Sequence, residues 1–162
     1  MKNTTKRSGN KEEDDAADDS FDEDDDDDDL EDGPPVLIVQ TSKIPNAGQG
    51  LFLASPRFVP AGTVLIEEDA IAIRRPAAKL ILNMPEWHGR QPVIQGSSNK
   101  YLDIRLLLIH KANHCPATSP QCNAAVSQKG PARLVMTTRR NVYRGEEILW
   151  EYSPTMQEFS KY

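Results

Sequence analysis

Cysteine is almost missing from this 162-residue chain, which holds only Cys115 and Cys122. Two thiols build no disulfide framework. No apolar h-region follows the N-terminus, so secretion is not expected. Free thiols in a reducing compartment, nuclear or cytoplasmic, are the corresponding expectation. No apolar run approaches the ~20 residues that cross a bilayer, so no membrane partner is expected. Basic residues do not gather into a stripe. Lys2, Lys6, Arg7 and Lys11 are too scattered for a localisation cluster, and Arg74-Arg75 and Arg139-Arg140 are isolated pairs read as solvated. Direct nucleic-acid binding is therefore not expected.

The charge is unevenly distributed. The chain carries 25 acidic and 19 basic side chains, net −6. Residues 1–32 hold 16 of the acidic and 4 of the basic ones, net −12, which leaves 9 and 15 for residues 33–162, net +6. The run from Glu12 to Asp32 includes six consecutive aspartates, Asp24 to Asp29. Such a stretch buries too little apolar surface to offset its chain entropy, so residues 1–35 read as a disordered acidic tail. It could be a simple solvating tail, a lure for basic partners, or a screen over the chain's own basic face.

Gly33-Pro34-Pro35 breaks the acidic run, and a globular domain is expected over residues 36–162. Val36–Gln40, Leu51–Ala54, Thr63–Glu68 with a possible extension over Ala70–Ile73, Arg133–Thr138 and Ile148–Tyr152 read as strands, separated by turns rich in Gly, Pro and Asn. Residues 74–100 read as irregular, with room for a short helix over Ala77–Leu82. Tyr101–His110 is strand or helix, and periodicity alone leaves that open. The fold class is mostly β.

One ordered set of motifs carries chemistry. Gly48-Gln49-Gly50-Leu51 follows a turn and opens a strand; glycines let backbone approach a ligand closely. Taken alone this is an ordinary hairpin turn, and no third glycine or following helix makes it a dinucleotide fingerprint. After it come Pro60-Ala61-Gly62-Thr63, the pair Glu67-Glu68, Tyr101-Leu102-Asp103, Asn113-His114-Cys115, Cys122-Asn123 and, last, Arg144-Gly145-Glu146-Glu147-Ile148-Leu149-Trp150-Glu151-Tyr152. In this order the set resembles the SET domain of protein lysine methyltransferases, over most of residues 36–152.

The resemblance implies a fold of short sheets with few short helices, in which the C-terminal segment threads under an earlier loop like a pseudoknot. It implies S-adenosyl-L-methionine as cofactor, bound through Gly48, Gln49, Gly50, Leu51, Asn113 and His114. It implies a channel to a substrate lysine lined by Tyr101 and Trp150, with Tyr152 as the catalytic residue. No metal is implied. A histone tail, or another basic protein, is the first substrate and partner it suggests, an inference by analogy.

The chain departs from the family's pattern in places. Cys115 stands where serine is usual, Cys122-Asn123 where Pro-Asn is typical, and Trp150 where Phe or Tyr is common. The zinc-binding cysteine cluster that follows many SET domains is missing, which leaves Phe159 or Tyr162 to close the channel. Two further readings stay open. His110, His114, Cys115 and Cys122 are zinc-competent ligands within thirteen residues, as in a small zinc-stabilised domain. A catalytically inactive SET-like module could also bind basic proteins through the acidic tail. Trp87 and His88 fall in the family's variable insert, as loop anchors or as substrate contacts.

Overall fold

The computed structural model describes residues 33–87, 90–96 and 100–152. The chain divides into two units, residues 1–32 and Gly33–Tyr162. The acidic run fills the first and lies outside the described residues, as do His88, Phe159 and Tyr162.

Strands β1 (Leu37–Thr41) and β2 (Gln49–Leu53) form an antiparallel hairpin, with Leu37 opposite Leu53 and Thr41 opposite Gln49. The connecting loop reverses direction through two left-handed residues, Asn46 at φ 65° and Gly48 at φ 76°. Asn tolerates that region and Gly enters it without a Cβ clash. Leu51, Phe52 and Leu53 are at most 1% exposed, which accounts for an unbroken apolar run where a half-exposed strand would alternate.

Among the described residues eight further strands follow: β3 (Val64–Asp69), β4 (Ile71–Ile73), β5 (Val93–Gln95), β6 (Tyr101–Asp103), β7 (Asn113–His114), β8 (Ala124–Lys129), β9 (Arg133–Thr138) and β10 (Leu149–Trp150). They form a five-stranded sheet in the order β3-β9-β8-β10-β7 and a three-stranded sheet in the order β4-β6-β5. The main core packs Leu51, Leu53, Ile104, Ile109, Met136, Val142 and Ile148 against Trp150. A second cluster joins Ala78 and Ile81 to Val93 and Tyr101. Ala78 and Ile81 come from helix α1 (Arg75–Leu82), which begins two residues before the expected Ala77 and holds Pro76, whose fixed φ suits a first helical turn, in its first turn. Their three-residue spacing puts both on one face, turned to β5 and β6.

The order of the five-stranded sheet contains the threading. Strand β10 lies between β7 and β8 and is parallel to both. Residues 115–123 join β7 to β8, so the last strand enters a connection made earlier in the chain. Cys115 N donates to Trp150 O and Asn123 N to Leu149 O, each at 3.1 Å. The Asn123 side chain clamps the same strand: Nδ2 donates to Glu147 O at 2.8 Å and Oδ1 accepts from Leu149 N at 2.9 Å. Flanked on both edges, Ile148, Leu149 and Trp150 are buried. The fold is thus mostly β and SET-like, as the motif order implied.

The expectation of free thiols is corrected. Cys115 and Cys122 form a disulfide, with Cα atoms 5.5 Å apart. Seven positions separate them, and the two ends of the connection lie against β10, which brings the sulfurs together. The pair also takes both sulfurs out of the alternative zinc reading. Among the described residues no three His, Cys, Asp or Glu side chains converge to hold a metal.

Candidate active site

Four segments distant in sequence meet at one open cleft. Ala47, Gly48 and Gln49 bring the hairpin turn, His110, Lys111 and Asn113 the approach to β7, Tyr152 the end of β10, and Arg90 the segment before β5. The cleft measures about 160 Å³.

Each wall has an identifiable support. The short 3-10 turn Leu108–Lys111 carries His110 and Lys111. Its first amides are held by Glu68, whose carboxylate accepts from Leu108 N at 2.9 Å and Ile109 N at 3.1 Å. A carboxylate at the start of a helical turn satisfies amides that have no intrahelical partner. Asn113 reaches back to the hairpin, its Nδ2 donating to Gln49 O at 3.0 Å and to Glu147 Oε1 at 2.8 Å. Glu147 is buried, and it also accepts from Ser42 Oγ at 2.7 Å and Lys43 N at 2.9 Å. Acceptors filled by three donors make a buried carboxylate tolerable.

Tyr152 is fixed at both ends. Its backbone N donates to His114 Nδ1 at 3.1 Å, and its hydroxyl to Ala112 O at 3.1 Å. Its ring lies 4.9 Å from that of His114 and 5.0 Å from that of Trp150. Burial pushes the phenol up to about 12, against an opposing pull from the Arg90 cation. The hydroxyl therefore keeps its proton at neutral pH, and with that proton engaged its lone pairs stay available as acceptors. His110 shifts in the other sense: burial lowers its pKa, which favours the neutral imidazole.

Of the cofactor residues expected from sequence, Gly48, Gln49 and Asn113 line the cleft. Gly50, Leu51 and His114 are not among its lining residues. Leu51 is fully buried, and its carbonyl accepts from Ile148 N at 2.7 Å. Gly50 packs against the Glu147 carboxylate with no room for a Cβ. His114 acts on Tyr152 through the bond already described. The two expected channel residues divide differently. Trp150 is buried behind Tyr152 and its indole Nε1 donates to Ala112 O at 3.2 Å. Tyr101 is not among the lining residues: it is buried in the second cluster with Ala78, Ile81 and Val93. Trp87, from the same cluster, sets its ring 5.2 Å from that of His110.

Arg90 and Lys111 carry no sequence signal that marks them for the site, and Glu147 carries only its place in a motif. Arg90 and Lys111 are ordinary basic residues, and only the fold brings them to one cleft. Glu147 lies inside the C-terminal motif, but nothing in that motif says which atoms its carboxylate meets.

No protein-family model matches the sequence, and no curated protein matches it. Solved structures do. The chain superimposes on ctPRC2 bound to S-adenosylmethionine with a TM-score of 0.63 at 17% identity, covering 78% of this chain and 16% of that one. An active polycomb repressive complex 2 in its stimulated state gives 0.61 at 16%, covering 75% and 15%. A Plasmodium falciparum protein provisionally named a histone methyltransferase gives 0.54 at 16%, covering 75% of this chain and 96% of that one. At these identities the likeness is one of fold: the chain has a SET-like, methyltransferase-like fold and spans about a sixth of the polycomb chains.

Proposed function

We propose that this chain is an S-adenosyl-L-methionine-dependent protein-lysine N-methyltransferase. The observation that carries the reading is the convergence of Gly48-Gln49, Asn113 and Tyr152 on one cleft. Those positions lie about 60 and 40 residues apart, and an ordinary hairpin or core tyrosine has no need to meet the others.

The cleft suits such a donor. The left-handed Gly48 turn presents backbone with no Cβ beyond it. Asn113 supplies a fixed polar group, and Arg90 and Lys111 supply cations suited to the carboxylate of an amino-acid moiety. When bound, the cofactor supplies a methyl group on a sulfonium, transferable in line to a neutral amine. The chain's own contribution is positioning and electrostatics. Tyr152, donating to Ala112 O, can accept an N–H from the substrate amine and so aim the nitrogen lone pair. The Ala112 carbonyl, tied to Trp150 and Tyr152, holds that geometry. No covalent intermediate and no metal is needed.

A histone is the substrate we put first. One ctPRC2 structure was solved with histone H3 ligands, and the acidic run of residues 12–32 would attract a basic tail. Cytoplasm and nucleus both suit the reading. The test is transfer of labelled methyl from the cofactor to core histones, run beside Tyr152→Phe. We expect incorporation by the parent and a large loss in the variant. A parent that neither binds the cofactor nor transfers methyl would leave a non-enzymatic module for basic proteins.

A further inference from the structure

We infer that Glu147 is a positioning residue of the donor site: its carboxylate fixes which atom Asn113 turns to the cleft. The inference rests on the proposed function for its consequence, though not for its geometry.

An asparagine amide can sit either way round, with its oxygen and nitrogen exchanged. Here the choice is forced. Asn113 faces two groups that can only accept, the Gln49 carbonyl at 3.0 Å and Glu147 Oε1 at 2.8 Å. Both hydrogens of Nδ2 are thereby used. The amide oxygen is left for the cleft that Asn113 lines. A flipped amide would set oxygen against oxygen at both contacts, one of them a buried charge.

The carboxylate is itself held from several sides. Ser42 Oγ donates to Oε1 and Lys43 N to Oε2. Ile44 N donates to Ser42 Oγ at 2.9 Å, which orients that hydroxyl toward the carboxylate. Gly50 leaves the carboxylate the space a side chain would fill. Glu147 thus joins the turn after β1, strand β2 and the Asn113 segment at a single group. It sets the spacing of two cleft walls and the polarity of one.

The consequence concerns ligand choice. With Nδ2 spent, Asn113 offers the cleft an acceptor, which suits a ligand ammonium, amine or hydroxyl. Glu147→Gln keeps the shape but can offer NH₂ to Asn113. A flipped asparagine, which turns a donor into the cleft, is then opposed only at the Gln49 carbonyl instead of at both contacts. Asn113→Asp alone sets two carboxylates against each other. Combined with Glu147→Gln, it restores a donor–acceptor pair at that contact and keeps an acceptor oxygen for the cleft, with the Gln49 bond lost.

The experiment uses the full chain, with two readouts. The first is solvent exchange of the Asn113 side-chain amide protons in nitrogen-15 spectra, which needs no ligand. The second is the dissociation constant and KM for S-adenosyl-L-methionine, with kcat measured alongside. We expect the Asn113 amide to be protected in the parent and to exchange at least tenfold faster in Glu147→Gln. We expect that variant to weaken cofactor binding and raise KM about tenfold or more, with kcat changed by less than threefold. The double variant should bind more tightly than either single one, a rescue that a purely structural role would not produce. Unchanged exchange and unchanged affinity in Glu147→Gln overturn the inference and leave the proposed function standing. A parent that binds no cofactor but whose Asn113 amide responds to Glu147→Gln overturns the function and keeps the orienting role. A parent with neither property removes both.

Discussion

Trp150 Nε1 and the Tyr152 hydroxyl donate to the same carbonyl oxygen, that of Ala112, at 3.2 and 3.1 Å. The acceptor thus keeps a partner if either donor is lost. Removing the hydroxyl by Tyr152→Phe should cost little in folding, about 1 kcal/mol, typical of one net hydrogen bond. Catalysis should suffer far more. If the hydroxyl aims the substrate amine, its loss should lower methyl transfer by about a hundredfold, the scale on which misplacing a reacting group acts. Thermal unfolding measured beside labelled transfer separates the two. Equal losses in fold and turnover would make Tyr152 a structural prop.

The same phenol yields a pH prediction. Its folded pKa is raised to about 12 from the usual 10.0, because burial disfavours the phenolate. A group raised in this way adds stability that is complete below the unfolded value and is lost as pH climbs through the folded one. Stability should therefore fall between about pH 10 and pH 12, and the Tyr152 share of the fall should vanish in Tyr152→Phe. Urea unfolding of both proteins at about pH 9 and about pH 11.5 measures it. The same slope in each would remove burial of this hydroxyl as the cause.

Much of this arrangement was legible in the sequence. The run at β2 is apolar, and those at β3 and β9 are apolar and β-branched, enough to read as strands. The short helix was legible as a possibility over Ala77–Leu82, and Gly145 marked the turn before β10. Other parts were legible only through their partners. β7 is two residues long and exists because β10 pairs with it. β8 reads AAVSQK, a weak apolar pattern, and its strand character comes from its neighbours β9 and β10. Tyr101 falls in a strand, yet the helix that covers it lies in a stretch that reads as mostly irregular, so its burial away from the cleft was hidden. The cleft's cations were hidden too, because Arg90 and Lys111 meet only through tertiary packing.

Gly50 and Gly62 should respond differently to alanine. Gly62 sits at φ +85°, and a methyl there would find nothing within 4 Å, so Gly62→Ala costs backbone strain alone, about 1–2 kcal/mol. A methyl at Gly50 meets the Glu147 carboxylate and the Phe52 ring. It must displace a buried group that already holds three donors, a change on the scale of overpacking, about 1–3 kcal/mol. Both variants should lower the melting temperature. Only Gly50→Ala should also weaken cofactor binding, because it moves the carboxylate that orients Asn113. Calorimetric titration with the cofactor decides this, and equal affinities in the two variants would uncouple Gly50 from the site.

The disulfide sets a last, independent test. Cys115 and Cys122 close a loop of seven intervals around the connection that β10 threads. Closing so small a loop restrains the unfolded chain by about 2–3 kcal/mol. Both cysteines are buried, and Leu149 of β10 packs against them. Reduction, or the pair of changes Cys115→Ala and Cys122→Ala, should therefore lower the melting temperature by several degrees, on the order of 4–10 °C for a domain of this size. It should also loosen the strand that leads to Tyr152, so cofactor affinity should fall with stability. Thiol titration provides the control. The unreduced protein should yield no reactive thiol even when unfolded, and two after reduction. Two thiols in the unreduced chain would restore the free-thiol reading and assign the hold on β10 to Asn123 and the strand pairing alone.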